Sequence, residues 1–480
     1  MLPTDPPDAS CPSAHEDCHT LNEWIENGTS HFTSNTTVVL LPGLHLINST
    51  KDKMQMSNLH SVHITGQRGE TVVTCLYDFG LYFYNIGNVR VTNITFRSCA
   101  FNQTFRKTFY KTFTMNVTLL LYAVQNVSVT NVRITGSGIV VFGMESYKRS
   151  TFQLQDSTIY SKRTGVLFHS RNMNENTKNH GDRVYIKNCS ASFVFSVSQF
   201  VFSDPSLTFS KSYECSIASI DMVGVAISDM TNSLALVLIE CSESVSLTNI
   251  TFLNNPSPLL YASARLIELK GLIQFTGNTG DYGAVLHSKG TVSVCRGSKI
   301  VFSDNHVKHN LFHIHIDIVW LNNKLNKVQI ISAEIVAKNN QAVSAGGIMI
   351  LEIRGEYLYQ EPQNNERFIT MFNSSFTFEN NIVNSDDRHY SGILILTGNT
   401  YNSEQINDII IITKITYDIR SLNFLFKNNT INSINNDYSG IIILTENSTN
   451  QITKITYNTC LLYTSPSPRD ATLSRMPSSA

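Results

Sequence analysis

Two groups of residues carry side chains that could do chemistry. The first is His306, His309, His313, His315 and Asp317. In the stretch LFHIHIDIVW, residues 311–320, His313, His315 and Asp317 alternate with Phe312, Ile314, Ile316 and Ile318, so on a strand the three polar side chains share one face. Histidines two apart on a strand can both reach one Zn²⁺, with a carboxylate completing a partial ligand set. The same alternation also describes a plain strand with a polar outer face. The second group is Asp386, Asp387, Arg388 and His389. Paired carboxylates can act as general acid and base on a glycosidic bond, but they need a third partner and a sugar cleft. The equivalent stretch of the next repeat reads Ile434-Asn435-Asn436-Asp437, as expected of a solvated, variable loop. Neither group implies a cofactor.

The elements that must position these residues are repetitive. Phe-x-x-Asn begins at Phe252, Phe275, Phe302, Phe378 and Phe426, with gaps of 23, 27, 76 and 48 residues. Read as one, one, three and two multiples of a unit of about 24 to 27 residues, these gaps indicate a β-solenoid, in which each coil buries its apolar side against its neighbours. Residues 88–96 (NVRVTNITF), 126–134 (NVSVTNVRI) and 244–252 (SVSLTNITF) each alternate apolar and polar residues before an Asn and a second short strand. The Asn tolerates left-handed backbone angles at a corner, and stacked Asn side chains can hydrogen-bond in ladders. Residues 378–400 align with 426–448 at an offset of 48, read as two coils. At about 24 residues each, the chain would hold roughly 17 coils over residues 37–459.

Residues 1–36 read as an N-terminal cap. Cys11 and Cys18 close a short loop, and Thr20 to Glu23 fits the capping box of a short helix with Leu21, Trp24 and Ile25 on one face. Such a plug covers the apolar core and free strand groups that a first coil exposes. Residues 161–182, including RNMNENTKNHGD, lack the alternation and read as an insertion loop. Residues 460–480 (CLLYTSPSPRDATLSRMPSSA) break from the Asn/Ile/Thr-rich pattern and resemble translated sequencing adapter, which places them outside the fold. Neighbouring coils lie about 4.8 Å apart, within disulfide reach. The gap of 24 from Cys75 to Cys99, and those of 26 from Cys189 to Cys215 and on to Cys241, therefore fit either bridges or a stack of small buried residues.

The formal charge of −1 and 15% charged residues give no electrostatic basis for nucleic-acid binding. No apolar run reaches the roughly 18 residues of a membrane span. Met1 is followed by LPTDPPDAS, which is not a secretory leader, so the natural start is expected upstream. Asn-x-Ser/Thr acceptors for glycosylation occur at Asn27, Asn35, Asn48, Asn93, Asn102, Asn116, Asn126, Asn188, Asn249, Asn373, Asn428 and Asn447.

The Asn-Val-x-Val-x-Asn-x-Thr-Phe pattern with Gly corners resembles the right-handed parallel β-helix of the pectin-lyase-like superfamily. The Phe-x-x-Asn motifs, with small-residue turns such as Gly283-Ala284-Val285 and Gly346-Gly347-Ile348, also resemble the repeats of bacterial polymorphic outer-membrane adhesins. The entry through Cys11, Cys18, a capped helix and Leu41-Pro42-Gly43 is similar to large metazoan cell-surface β-helix proteins. The resemblance implies an all-β solenoid, extracellular or on the cell surface, that binds glycans or proteins without catalysis. Two alternatives stay open: a polysaccharide lyase or hydrolase of the same fold, and an ectodomain fragment of a longer receptor. The family's hydrolases carry Asn-Thr-Asp, Asp-Asp, Gly-His-Gly and Arg-Ile-Lys in that order. Here only the Asp386-Asp387 fragment matches.

Overall fold

A computed structural model describes residues 21–22, 25, 34–49, 51, 53–106, 112–142, 150–161, 165–169, 182–196, 217–230, 235–256, 259–318, 327–343, 347–355, 367–385, 390–400, 415–433, 438–445, 451–452 and 455–460. Cys11, Cys18, Asn27, Asp386, Asp387, Arg388, His389 and Asn447 lie outside the described residues. The fold is an all-β, right-handed parallel β-helix. It forms two compact units, Met1–Ile267 and Glu268–Ala480.

In the first unit the alternation read from the sequence sets the pairing. Ser61–Thr65, Asn88–Thr92, Asn126–Thr130 and Thr151–Gln155 stack in parallel, with Ser61 opposite Asn88, Asn88 opposite Asn126, and Asn126 opposite Thr151. Within Asn126–Thr130, Val127 and Val129 are buried while Asn126 is exposed. Each strand ends at a residue with left-handed backbone, Asn93 at φ 60° and Asn131 at φ 53°, a conformation Asn accepts at lower cost than most residues. The Nδ2 of Asn131 donates to Oδ1 of Asn93 at 2.8 Å, and Nδ2 of Asn126 to Oδ1 of Asn88 at 2.9 Å. Several Asn-x-Ser/Thr acceptors are thus also structural corners, and at Asn126 and Asn188 the amide nitrogen is already a donor within the fold.

The cap does what an end plug must do. Leu21, Asn22 and Ile25 are helical, and Leu21 and Ile25 face the first-coil core residues Leu40, Ile47, Val73 and Phe79. Asn22 Nδ2 donates to the Leu46 carbonyl at 2.8 Å, and Asn22 Oδ1 accepts the Asn48 N–H at 3.0 Å. The helix thereby satisfies backbone groups at the exposed edge of strand Gly43–Ile47.

Three expectations change. The section 161–182 is not wholly a loop, because Val166–His169 pairs in parallel with Gly138–Phe142 and with Phe193–Ser196. Cys75 and Cys99 form a disulfide across adjacent coils with Cα atoms 4.9 Å apart, whereas Cys189 and Cys295 are free thiols. Strand Ile455–Cys460 pairs with Leu422–Lys427 and places Cys460 opposite Lys427, so regular pairing runs one residue past the boundary expected at Thr459.

The second unit overturns the coil arithmetic. Phe378 lies directly opposite Phe426, so the offset of 48 is one coil rather than two. A buried ladder of Asn278, Asn305, Asn340, Asn381 and Asn429 marks every coil, at spacings of 27, 35, 41 and 48 residues. These are the Asn residues of the Phe-x-x-Asn motif, and the gap of 76 arises because Ala337 stands where Phe is expected, between Phe302 and Phe378. The added length enters as further strands, Lys327–Ile331, Arg367–Phe372 and Ile415–Arg420, which pair with one another in parallel. The estimate of roughly 17 coils at 24 residues each therefore overcounts.

Candidate functional site

The histidine strand belongs to the second unit. Phe312–Ile318 pairs in parallel with strand Ala284–Val294 on one side and Gly347–Gly355 on the other. Phe312, Ile314 and Ile316 point into the core, at 2% exposure or less. His313 and His315 therefore face outward, as the alternation requires. The register sets His315 between His287 and Glu352.

The carboxylate that joins the histidines is Glu352, and this corrects the expectation of Asp317. Asp317 lies opposite Arg354, two residues further along the sheet, and its side chain is outside the described residues. Glu352 Oε2 is 3.1 Å from His313 Nε2 and 3.3 Å from His315 Nδ1. The His287 and His315 rings meet edge to face with centroids 4.9 Å apart. The cluster is shielded, with side-chain exposures of 18% for His313, 12% for His315 and 7% for Glu352. Burial alone would push the Glu352 carboxyl up, but hydrogen bonds donated by His313 and His315, and the charge these rings carry when protonated, hold it well below the ordinary carboxylate range. His306 and His309 do not join the cluster. They are exposed, and His306 Nδ1 contacts Gln341 Oε1 at 3.0 Å.

A second site on the first unit was missed in the sequence. Strand Gly80–Tyr84 alternates buried Leu81 and Phe83 with outward Tyr82 and Tyr84. Tyr84 lies opposite Tyr122 of the next coil, with the two rings stacked at 5.7 Å and 16°. Tyr82 stands 6.2 Å from Tyr84, and Lys53 Nζ lies 5.5 Å from the Tyr82 ring centroid, within cation–π range. Partial burial, with Tyr84 and Tyr122 alongside, raises the Tyr82 hydroxyl above its ordinary value, so it stays a neutral donor. Next to the rings, Asn85 Nδ2 donates to Asn58 Oδ1 at 2.7 Å. The signal was the outward register of Tyr82, Tyr84 and Tyr122, which only the coil pairing reveals.

No family model and no curated protein matches the chain. Among solved structures it is similar to a PL6 family alginate lyase, AlyGC, with 8% identity and a TM-score of 0.26 over 88% of this chain and 97% of that one.

Proposed function

We propose that the chain is an extracellular β-helix protein that binds a polysaccharide on the Tyr82, Tyr84 and Tyr122 face and leaves the polymer intact. The stacked Tyr84 and Tyr122 rings carry this reading. Side-by-side aromatic faces present a flat apolar surface whose hydroxyls keep polar contacts, which suits the C–H face of a pyranose ring, and the stacking direction follows successive coils as a polymer would. Lys53 adds a cation beside Tyr82, which favours an acidic sugar. The neighbouring groups Lys53, Gln55, Asn58 and Asn85 bind and orient. They do not form the acid–base pair that glycosidic cleavage uses. The Cys75–Cys99 disulfide supports an oxidising, extracellular setting.

The test is affinity electrophoresis of the full chain through gels carrying neutral or acidic polysaccharides. Retardation by an acidic polymer is expected, with about tenfold weaker binding, roughly 1.4 kcal/mol, in Tyr84→Ala. Retardation undiminished in both Tyr84→Ala and Tyr122→Ala would remove the tyrosine face from the function. A polymer that shortens during incubation would establish the lyase or hydrolase alternative instead.

A further inference from the structure

We propose that His313, His315 and Glu352 form a binding site for a single divalent transition-metal ion of the zinc class, which clamps two adjacent coils of the second unit. This site is independent of the tyrosine face, and its test does not depend on sugar binding.

The ligand set is two imidazoles and a carboxylate, the nitrogen and oxygen donors that zinc takes in proteins. Each of the three side chains offers one ligand atom, and these atoms all lie within 4.8 Å of one another. Both nitrogens converge on the same carboxylate oxygen, at 3.1 and 3.3 Å. Zinc bonds of about 2.0 to 2.2 Å in a tetrahedral arrangement separate neighbouring donor atoms by roughly 3.3 to 3.5 Å, so the ion fits with adjustments of a few tenths of an ångström. Coordination uses the unprotonated Nε2 of His313 and Nδ1 of His315. Each ring then keeps its proton on the other nitrogen, and any second proton leaves to solvent.

Three structural facts favour a metal over an incidental polar contact. The two histidines stand on one strand whose alternate residues are locked in the core, so their separation is fixed by the pleat. Glu352 is held opposite His315 by backbone register rather than by a flexible loop. Its carboxylate lies on a residue only 6% exposed, and a buried carboxylate requires a positive partner. Neutral imidazoles give it hydrogen bonds without charge, whereas a divalent cation gives charge at every pH where the rings are unprotonated. His287, packed edge-on against His315, limits the rotation of that ring and so holds a ligand in place.

The experiment strips the full chain with a chelator, then titrates zinc in competition with a chromophoric chelator, and titrates Co²⁺ by visible absorption. The expected result is one ion per chain with micromolar or tighter affinity, and an intense Co²⁺ band of a low-coordinate site. Glu352→Gln and His315→Gln should each weaken binding by roughly 10- to 100-fold and abolish the band, with unchanged β-sheet circular dichroism. His306→Gln with His309→Gln should leave both readouts as in the native chain. Absence of saturable binding at about 1 mM zinc overturns the site, as does affinity unchanged in both Glu352→Gln and His315→Gln. Loss of binding in the His306/His309 double variant alone would overturn it too. If Glu352→Gln does not fold, His315→Gln carries the same comparison.

Discussion

Asn305 donates from Nδ2 to Oδ1 of Asn340 at 2.9 Å, and the same oxygen accepts the backbone N–H of Asn305 at 3.1 Å. Asn340 Nδ2 donates in turn to the Phe302 carbonyl at 3.1 Å and to Asn381 Oδ1 at 2.9 Å. Asn340 is 1% exposed, so no water replaces these bonds. Asn340→Leu should therefore cost about 2 to 4 kcal/mol, because it strands buried donors on Asn305. Its exposed neighbour Asn339, at φ 55°, should tolerate Gly with a change of about 0.5 kcal/mol or less, since Gly takes that backbone freely. Chemical denaturation of the two variants gives the comparison.

Gly283 is required by proximity. A Cβ there would lie 2.2 Å from the backbone oxygen of Leu311 in the next coil, and that oxygen already accepts the N–H of Ala284 at 2.9 Å. Gly283→Ala must push adjacent coils apart next to the histidine strand and should destabilise by about 1 to 3 kcal/mol. Gly136→Ala is the control. Its φ of 91° carries backbone strain, but nothing lies within 4 Å of the added carbon. The smaller loss of thermal stability is expected in Gly136→Ala.

The Cys75–Cys99 bridge joins neighbouring coils across 24 residues. Cys99→Ser should lower stability by about 2 to 4 kcal/mol, chiefly by freeing the unfolded chain. Cys189 should remain unlabelled by alkylating reagents under native conditions, because burial pushes its thiol up to about 12. Rapid native labelling of Cys189 at neutral pH would contradict its placement.

Glu379 sits between Lys338 at 3.0 Å and Lys427 at 2.9 Å, cations of the coils on either side. Hydrogen bonds from Lys427 and then Lys338 lower its carboxyl from the usual 4.5. A carboxyl depressed on folding adds stability that is present above the unfolded value and lost as pH falls through the folded one. The native chain should thus exceed Glu379→Gln in stability at neutral pH, and the difference should vanish in acid below 4.5. High salt should shrink it as well. Paired melting curves across pH would show either convergence or its absence.

The solenoid was legible because alternation is local: the strands Asn88–Thr92 and Asn126–Thr130 pair residue for residue as their sequences suggest. Coil length was not legible. An extra strand such as Arg367–Phe372, with buried Ile369 and Met371, has the same inside–outside pattern as any other, so one coil of 48 residues looks like two of 24. Ala337 deepened the error by hiding one motif. At the site, His313 and His315 were readable because they share a strand. Glu352 was not, because its approach to His315 is set by register across a connection whose length follows no pattern.

The asparagine corner has a consequence for how such a chain can change. Between successive corners of the second unit the polypeptide ranges from 27 to 48 residues, while Phe378 and Phe426 still stack at 5.3 Å and 6°. Insertions made between corners are absorbed on the far side of the coil and leave the stack in phase. Diversity in one region is thereby uncoupled from fidelity in another, and new surface can be acquired without re-solving the folding problem.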